Sequence, residues 1–274
     1  RRRRPDDADG RTPRERDALG TTVRTLGIDL AAAPARTAGC AMTWHHETAL
    51  GEVYPPPLDD DELLGLMRNA DRVGIDCPLG WPVAFVDAVT AHRDGAAWPG
   101  RGATDPVAYR RRLVYRRTDE IIAATGTRPL SVSTDRIGVV ALRCALLLDA
   151  FEPPLTTTAL DRSGAGVVVE VYPAAAMRRW GLATAGYKAD RARATPALAA
   201  LVDALRAAAP WLQLSTEAWE HCRRSDHVFD AVVAALVTRA VALGLTAGPG
   251  ADDVAIAAVE GWIHVPTHDL EYLI

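Results

Sequence analysis

The order of segments between residues 23 and 76 constrains this fold more than any other feature. Residues 23–30, VRTLGIDL, form a short apolar run ending in an acid, and 38–44 and 48–54 read as two further strands divided by the turn-like His45-His46-Glu47. Three strands on such short links predict an antiparallel meander. The next segment, LDDDELLGLMRNA, opens with acids at 59–62 that favour a helix N-terminus and sets Leu63, Leu64 and Met67 at helical spacing, which predicts a helix over 59–70. Residues 72–76 return to a strand, broken at Pro78. The helix between the third and fourth strands lets the fourth lie parallel to the first, because parallel neighbours need a crossover. Asp29 and Asp76 then end adjacent parallel strands at the carboxyl edge of the sheet, where open α/β sheets hold their ligands.

Beyond residue 80 the pattern turns helical. Residues 81–165 read as an insertion suited to a lid or substrate platform, with helices over 83–92, near 118–125 and over 136–150, and an Arg-rich stretch from Tyr109 to Arg117. The β-branched run VVVEVYP at 167–173 predicts a strand carrying Glu170 and stopped by Pro173. Helices follow near 174–180, 191–208 and 225–243, the last with Ser225 as N-cap, a nearly continuous apolar body and Gly244 at its end. The expected fold is therefore α/β: a mixed sheet of three antiparallel strands followed by parallel ones, flanked by helices. One domain over 23–274 is expected, preceded by a disordered Arg-rich tail at 1–22 whose mixed charges surround Pro and Gly. The first residue is Arg, which reads as a processed or trimmed start.

Composition removes several classes of function. No apolar run approaches the ~20 residues of a membrane span. Four cysteines, Cys40, Cys77, Cys144 and Cys222, lie far apart without a CxxC pair, which argues against a zinc ribbon or disulfide framework and for a reducing, cytoplasmic setting. A formal net charge of −4 gives no global attraction to nucleic acid, so such a partner would depend on local basic patches. No GxxxxGK[ST] or GxGxxG fingerprint is present, and His45, His46, His92, His221, His264 and His268 show no ligand spacing.

What remains is one acid per element: Asp29, Asp76, Glu170, and Asp226 with Asp230 four residues apart on one helix face. Taken alone, Asp29 is equally a strand-end turn residue and Asp226 a first-turn acid favourable to the helix dipole. Asp76 and Glu170 stand among apolar neighbours, where unpaired carboxylates are costly. Converging carboxylates repel unless a cation or proton compensates them, and hard cations such as Mg²⁺ or Mn²⁺ take oxygen ligands.

The motifs GIDLA at 27–31, GIDCPLGWP at 74–82, RRTDEIIAATGTRPLSVSTDRIG at 116–138, EVYPAAAMRRWGL at 170–182, SDHVFDAVVAALVTRA at 225–240 and EGWIHVP at 260–266 resemble the domain-of-unknown-function family 429. The resemblance covers nearly everything after the tail. It implies a ribonuclease-H-like fold and a metal-dependent nuclease or other phosphodiester hydrolase. It also implies catalytic roles for Asp29, Asp76, Glu170 and Asp230 and metal ligation by Asp29, Asp76, Asp226 and Asp230. Where relatives often carry paired acids in the last helix motif, this chain reads Asp226-His227.

For substrate, Arg116, Arg117 and Arg136 are candidates to grip phosphates of nucleic acid or of a phosphate-containing small molecule, although an Arg run is equally a solvated helix face. Lys188 is the single lysine and a candidate anion contact, a weak signal in an Arg-biased chain. Two rival readings stay open: a nucleotide-binding phosphotransferase of the actin and sugar-kinase branch, and a non-catalytic binding module on the same fold.

Overall fold

The computed structural model describes residues 22–151, 161–188 and 191–274. The tail expected at 1–22 lies outside them except for Thr22. Strands β1 (Val23–Asp29), β2 (Ala38–Trp44) and β3 (Ala49–Tyr54) form the antiparallel meander. Helix α1 (Asp60–Arg68) then crosses over to β4 (Arg72–Ile75), which pairs parallel with β1. Asp59 starts α1 by accepting from the Glu62 amide at 2.9 Å while Glu62 returns a carboxylate to the Asp59 amide at 3.0 Å, so the run of acids works as a capping box.

Between β4 and β5 (Val168–Val171) the chain leaves the sheet for helices α2 (Val83–Arg93), α3 (Pro106–Val114), α4 (Arg117–Ala124) and α5 (Ile137–Phe151). After β5 come α6 (Pro173–Arg179), α7 (Arg191–Ala208), β6 (Leu212–Gln213), α8 (Thr216–Arg224), α9 (Asp226–Ala242), α10 (Val254–Glu260) and β7 (Ile263–His264). The sheet order is β6-β3-β2-β1-β4-β5-β7, with β3–β6, β4–β5 and β5–β7 parallel. A mixed sheet with an antiparallel meander leading into parallel strands, covered by helices, is a ribonuclease-H-like arrangement. Helices α3, α8 and α10 and the two-residue strands β6 and β7 go beyond what the sequence pattern predicts.

Two cores lie on opposite faces. One joins Val23, Cys40, Met42, Trp44 and Val169 to α9, which is buried from Val228 through Val241. The other joins Leu26, Ile28, Val73 and Ile75 to α1 and α5. Helix α9 reaches the sheet closely because two glycines pair across it: Gly27 of β1 stands opposite Gly74 of β4. A Cβ at Gly27 would overlap the Ala235 nitrogen and the Ala231 carbonyl oxygen and stand 2.7 Å from the Ala234 carbonyl carbon. A Cβ at Gly74 would overlap Thr238 Oγ1, which donates to the Ala234 carbonyl at 2.7 Å. Both positions therefore exclude any larger side chain.

Candidate metal centre

Side chains two residues apart on a strand share a face. Asp29 and Asp76 thus face the same way as Gly27 and Gly74, toward α9, and the Asp76 amide donates to the Ile28 carbonyl at 2.8 Å, which holds the two strand ends in register. Helix α9 presents Asp230 next to Ala231 and one turn before Ala234 and Ala235, the three residues that lie on Gly27. The result is a three-carboxylate group: one oxygen each from Asp29, Asp76 and Asp230 lies within 4.8 Å of the other two. Asp230 is fully buried and Asp29 nearly so.

Such a group cannot carry three uncompensated charges at low cost. Burial, and then the neighbouring charges of Asp29 and Asp230, raise the Asp76 carboxyl well above the ordinary carboxylate range although Lys188 pulls it down. Burial likewise pushes Asp230 up to about 7 against the opposing pull of Lys188, with Asp29 and Asp226 adding to the rise. Partial compensation comes from three side chains. Lys188 Nζ lies 2.5 Å from Asp230 Oδ2, and the Tyr187 hydroxyl donates to the other Asp230 oxygen at 3.2 Å. His227 Nδ1 lies 2.7 Å from Asp29 Oδ2, a bond that raises the imidazole above its ordinary value.

Glu170 is not part of this group. It pairs with Ile75 rather than with Asp76, so it faces the opposite side of the sheet. There Arg116 takes it in a two-pronged ion pair, Nη1 to Oε2 at 2.7 Å and Nη2 to Oε1 at 2.7 Å, and the Leu79 amide adds a bond at 3.0 Å. Arg116 is itself only 1% exposed. Its remaining N–H groups go to both Asp119 oxygens, at 3.1 and 2.8 Å, and to the Glu260 carbonyl at 3.1 Å. All five donors are spent inside the protein, which leaves none for a substrate phosphate. Burial would lower this guanidinium, but Glu170 and Asp119 outweigh it and hold the charge in place. Glu260 extends the same network by accepting from the first amides of two helices, Val83 of α2 and Arg117 of α4, each at 2.8 Å.

The other expected residues lie farther out. Asp226 is half-buried in the first turn of α9 and acts on Asp230 and His227 through its charge. Arg117 is exposed and tied to Asp253 at 2.8 Å. Arg136 is exposed beside Ile137, which lines a cavity of about 330 Å³ opening over the acids. Asp29, Asp76, Lys188, Tyr172 and Pro129 also line this cavity, and Glu170 and Arg116 reach it too. Arg128, exposed and 5.8 Å from the Tyr115 ring centroid, immediately precedes Pro129 of this lining. Lys188 and Tyr187 belong to a turn without periodicity, and only the tertiary structure reveals their place at the acids.

Fold and site together define a ribonuclease-H-like α/β protein with a buried carboxylate cluster whose hard oxygen donors are compatible with a divalent metal ion. No curated protein and no solved structure matches the chain. The chain belongs to the family described as protein of unknown function (DUF429), whose model matches residues 27–254. Among the described residues no helix is long and apolar enough to cross a membrane.

Proposed function

We propose that the protein is a metal-dependent phosphodiester hydrolase in which Asp29, Asp76 and Asp230 hold Mg²⁺ or Mn²⁺. The observation that carries this reading is the approach of three carboxylate oxygens to within 4.8 Å of one another at the carboxyl edge of the sheet. Three carboxylate oxygens suit a hard cation that keeps several waters and meets substrate phosphate. When bound, the ion supplies charge stabilisation for the phosphoryl oxygens and a more acidic water.

The chain's own residues take the remaining roles. Asp29 and Asp76 hold the cation at the cavity floor, and Asp230 completes the set from α9. Asp226 adds negative charge one turn away and serves as an outer support rather than a direct ligand. His227, bonded to Asp29, orients that carboxylate and can hold a proton beside it. Glu170 takes a structural role: with Arg116 it ties the Leu79 backbone to β5 on the other face of the sheet. The exposed Arg128 and Arg136, each next in sequence to a lining residue of the cavity, offer phosphate contacts at its rim. Residues 81–165, which carry Arg128 and Arg136, act as a substrate platform attached to the single domain of 23–274.

A cavity of about 330 Å³ suits one nucleotide or a small phosphate ester more than a continuous duplex. The favoured substrate is therefore a strand end, an unpaired nucleotide or a phosphorylated small molecule. The test is hydrolysis of single-stranded DNA and RNA, duplexes and small phosphodiesters with Mg²⁺ or Mn²⁺. Activity should require the metal and fall at least about a hundredfold in Asp29→Asn and Asp76→Asn. Activity that survives both substitutions would sink the reading.

A further inference from the structure

Lys188 is the only lysine among 31 Lys and Arg residues. Every other such cation in the chain is arginine, including the buried Arg116 and Arg143. The one exception has its ammonium on the carboxylate cluster, 2.5 Å from Asp230. The chemistry of the two side chains explains the choice. A guanidinium is a planar fork that fits one carboxylate edge, whereas an ammonium is a compact point charge with three donors that can stand among several carboxylates as a small cation does. Its side chain comes from a turn and is 48% exposed, while the carboxylate it holds is fully buried. Its Nζ also lies 5.5 Å from the Tyr187 ring centroid.

The position of this ammonium has a consequence for metal. Asp29, Asp76 and Lys188 line the cavity, but Asp230 does not; Lys188 and Tyr187 engage its two oxygens. A divalent ion that takes Asp230 as ligand must share that carboxylate with the ammonium or expel it, and two cations a few ångströms apart repel. The cavity that Lys188 itself lines offers the ammonium somewhere to go.

We propose that Lys188 is a tethered counter-cation: its ammonium occupies the carboxylate cluster when metal is absent, and a divalent ion exchanges it out into the cavity. This rests on the metal-binding reading of the same site. The exchange transfers no bond or electron; one cation replaces another on the Asp230 carboxylate. It gives the folded chain a compensated cluster before loading, and it sets a threshold, because metal must outcompete a cation that is always present. Once displaced, the ammonium stands in the cavity where an anionic substrate would enter.

The experiment uses the full chain at pH 8. Mn²⁺ binding by titration calorimetry and thermal unfolding with and without Mn²⁺ are compared for wild type and Lys188→Met. Removing the competitor should tighten Mn²⁺ binding about tenfold or more and lower the metal-free unfolding midpoint, with saturating Mn²⁺ closing the gap between the two proteins. A Lys188→Met protein that binds Mn²⁺ no more tightly than wild type overturns the proposal. If wild type takes no Mn²⁺ and Lys188→Met does, the counter-cation stands and the metal-dependent hydrolase fails; if neither binds, both fail. A second measurement needs no substitution. Lysine-selective isotope labelling yields one side-chain resonance, and Mg²⁺ should move it from a shifted position to that of a solvated lysine. A resonance unmoved while calorimetry reports Mg²⁺ bound overturns the exchange even if Lys188→Met does not fold.

Discussion

Gly27 of β1 lies against Ala235 of α9 with no room for a side chain between them, and this contact sets how closely Asp230 approaches Asp29. Gly27→Ala must push the helix off the sheet at the point where the core is fully packed. It should cost about 3 kcal/mol, at the upper end for overpacking, and weaken Mn²⁺ binding because Asp230 moves with its helix. Gly65→Ala, where nothing lies within 4 Å of the added Cβ, should instead raise stability by up to about 1 kcal/mol. Urea unfolding and calorimetry check both. An unaltered Gly27→Ala would show that α9 is not seated as described.

Arg116 and Glu170 are predicted to matter for stability and little for metal. Arg116→Met leaves Glu170 and Asp119 buried without their partner, a loss of about 3–5 kcal/mol. Because Glu170 lies on the other face of the sheet and its charge is the smallest of those acting on Asp76, the folded variant should bind Mn²⁺ within about threefold of wild type, a change below about 1 kcal/mol. A stable Arg116→Met protein that has lost metal binding would reverse these roles.

The sequence showed the topology through β4 because that region is local: alternating strands on short links, a capped helix and apolar runs that end on Asp29 and Asp76. Nothing in the sequence separates Glu170 from the cluster, because the face of a strand residue depends on register, and VVVEVYP is apolar at nearly every position, so no alternation reveals which side is which. Arg116 read as a phosphate ligand because it stands in an Arg-rich run; its partner Glu170 is 54 residues away and invisible to local pattern. Lys188 carried a faint compositional signal, and only folding brings its turn to Asp230. Strands β6 and β7, at two residues each, are too short to show periodicity.

Protons and metal should compete for the cluster. Asp230 ionises at about 7 in the folded chain, against about 3.9 for an unfolded aspartate. A raised folded value means that the proton favours the fold. This contribution is complete below about pH 3.9 and is lost as pH rises to about 7. Asp76 is shifted in the same direction. The unfolding midpoint of the metal-free protein should therefore fall less between pH 4.5 and 7.5 in Asp230→Asn than in wild type. Mn²⁺ affinity should rise over the same interval, with proton release at pH 6 measured by calorimetry in buffers of different ionisation enthalpy. An affinity independent of pH would contradict the shifted carboxyls.

The basic rim should act on substrate alone. Arg136→Glu combined with Arg128→Glu should weaken binding of a phosphorylated ligand by about tenfold or more, with the effect fading at high salt, while leaving Mn²⁺ affinity unchanged. Filter binding of a labelled oligonucleotide at two ionic strengths checks this, and equal binding by wild type and variant would remove the rim from substrate recognition.

The most direct measurement is anomalous diffraction from crystals of the full chain soaked in Mn²⁺. The prediction is a peak within coordination distance of Asp29, Asp76 and Asp230, absent from Asp76→Asn crystals, with Lys188 withdrawn from Asp230. Manganese bound only elsewhere, with Lys188 still on Asp230, would contradict the assignment of these three aspartates as a metal centre.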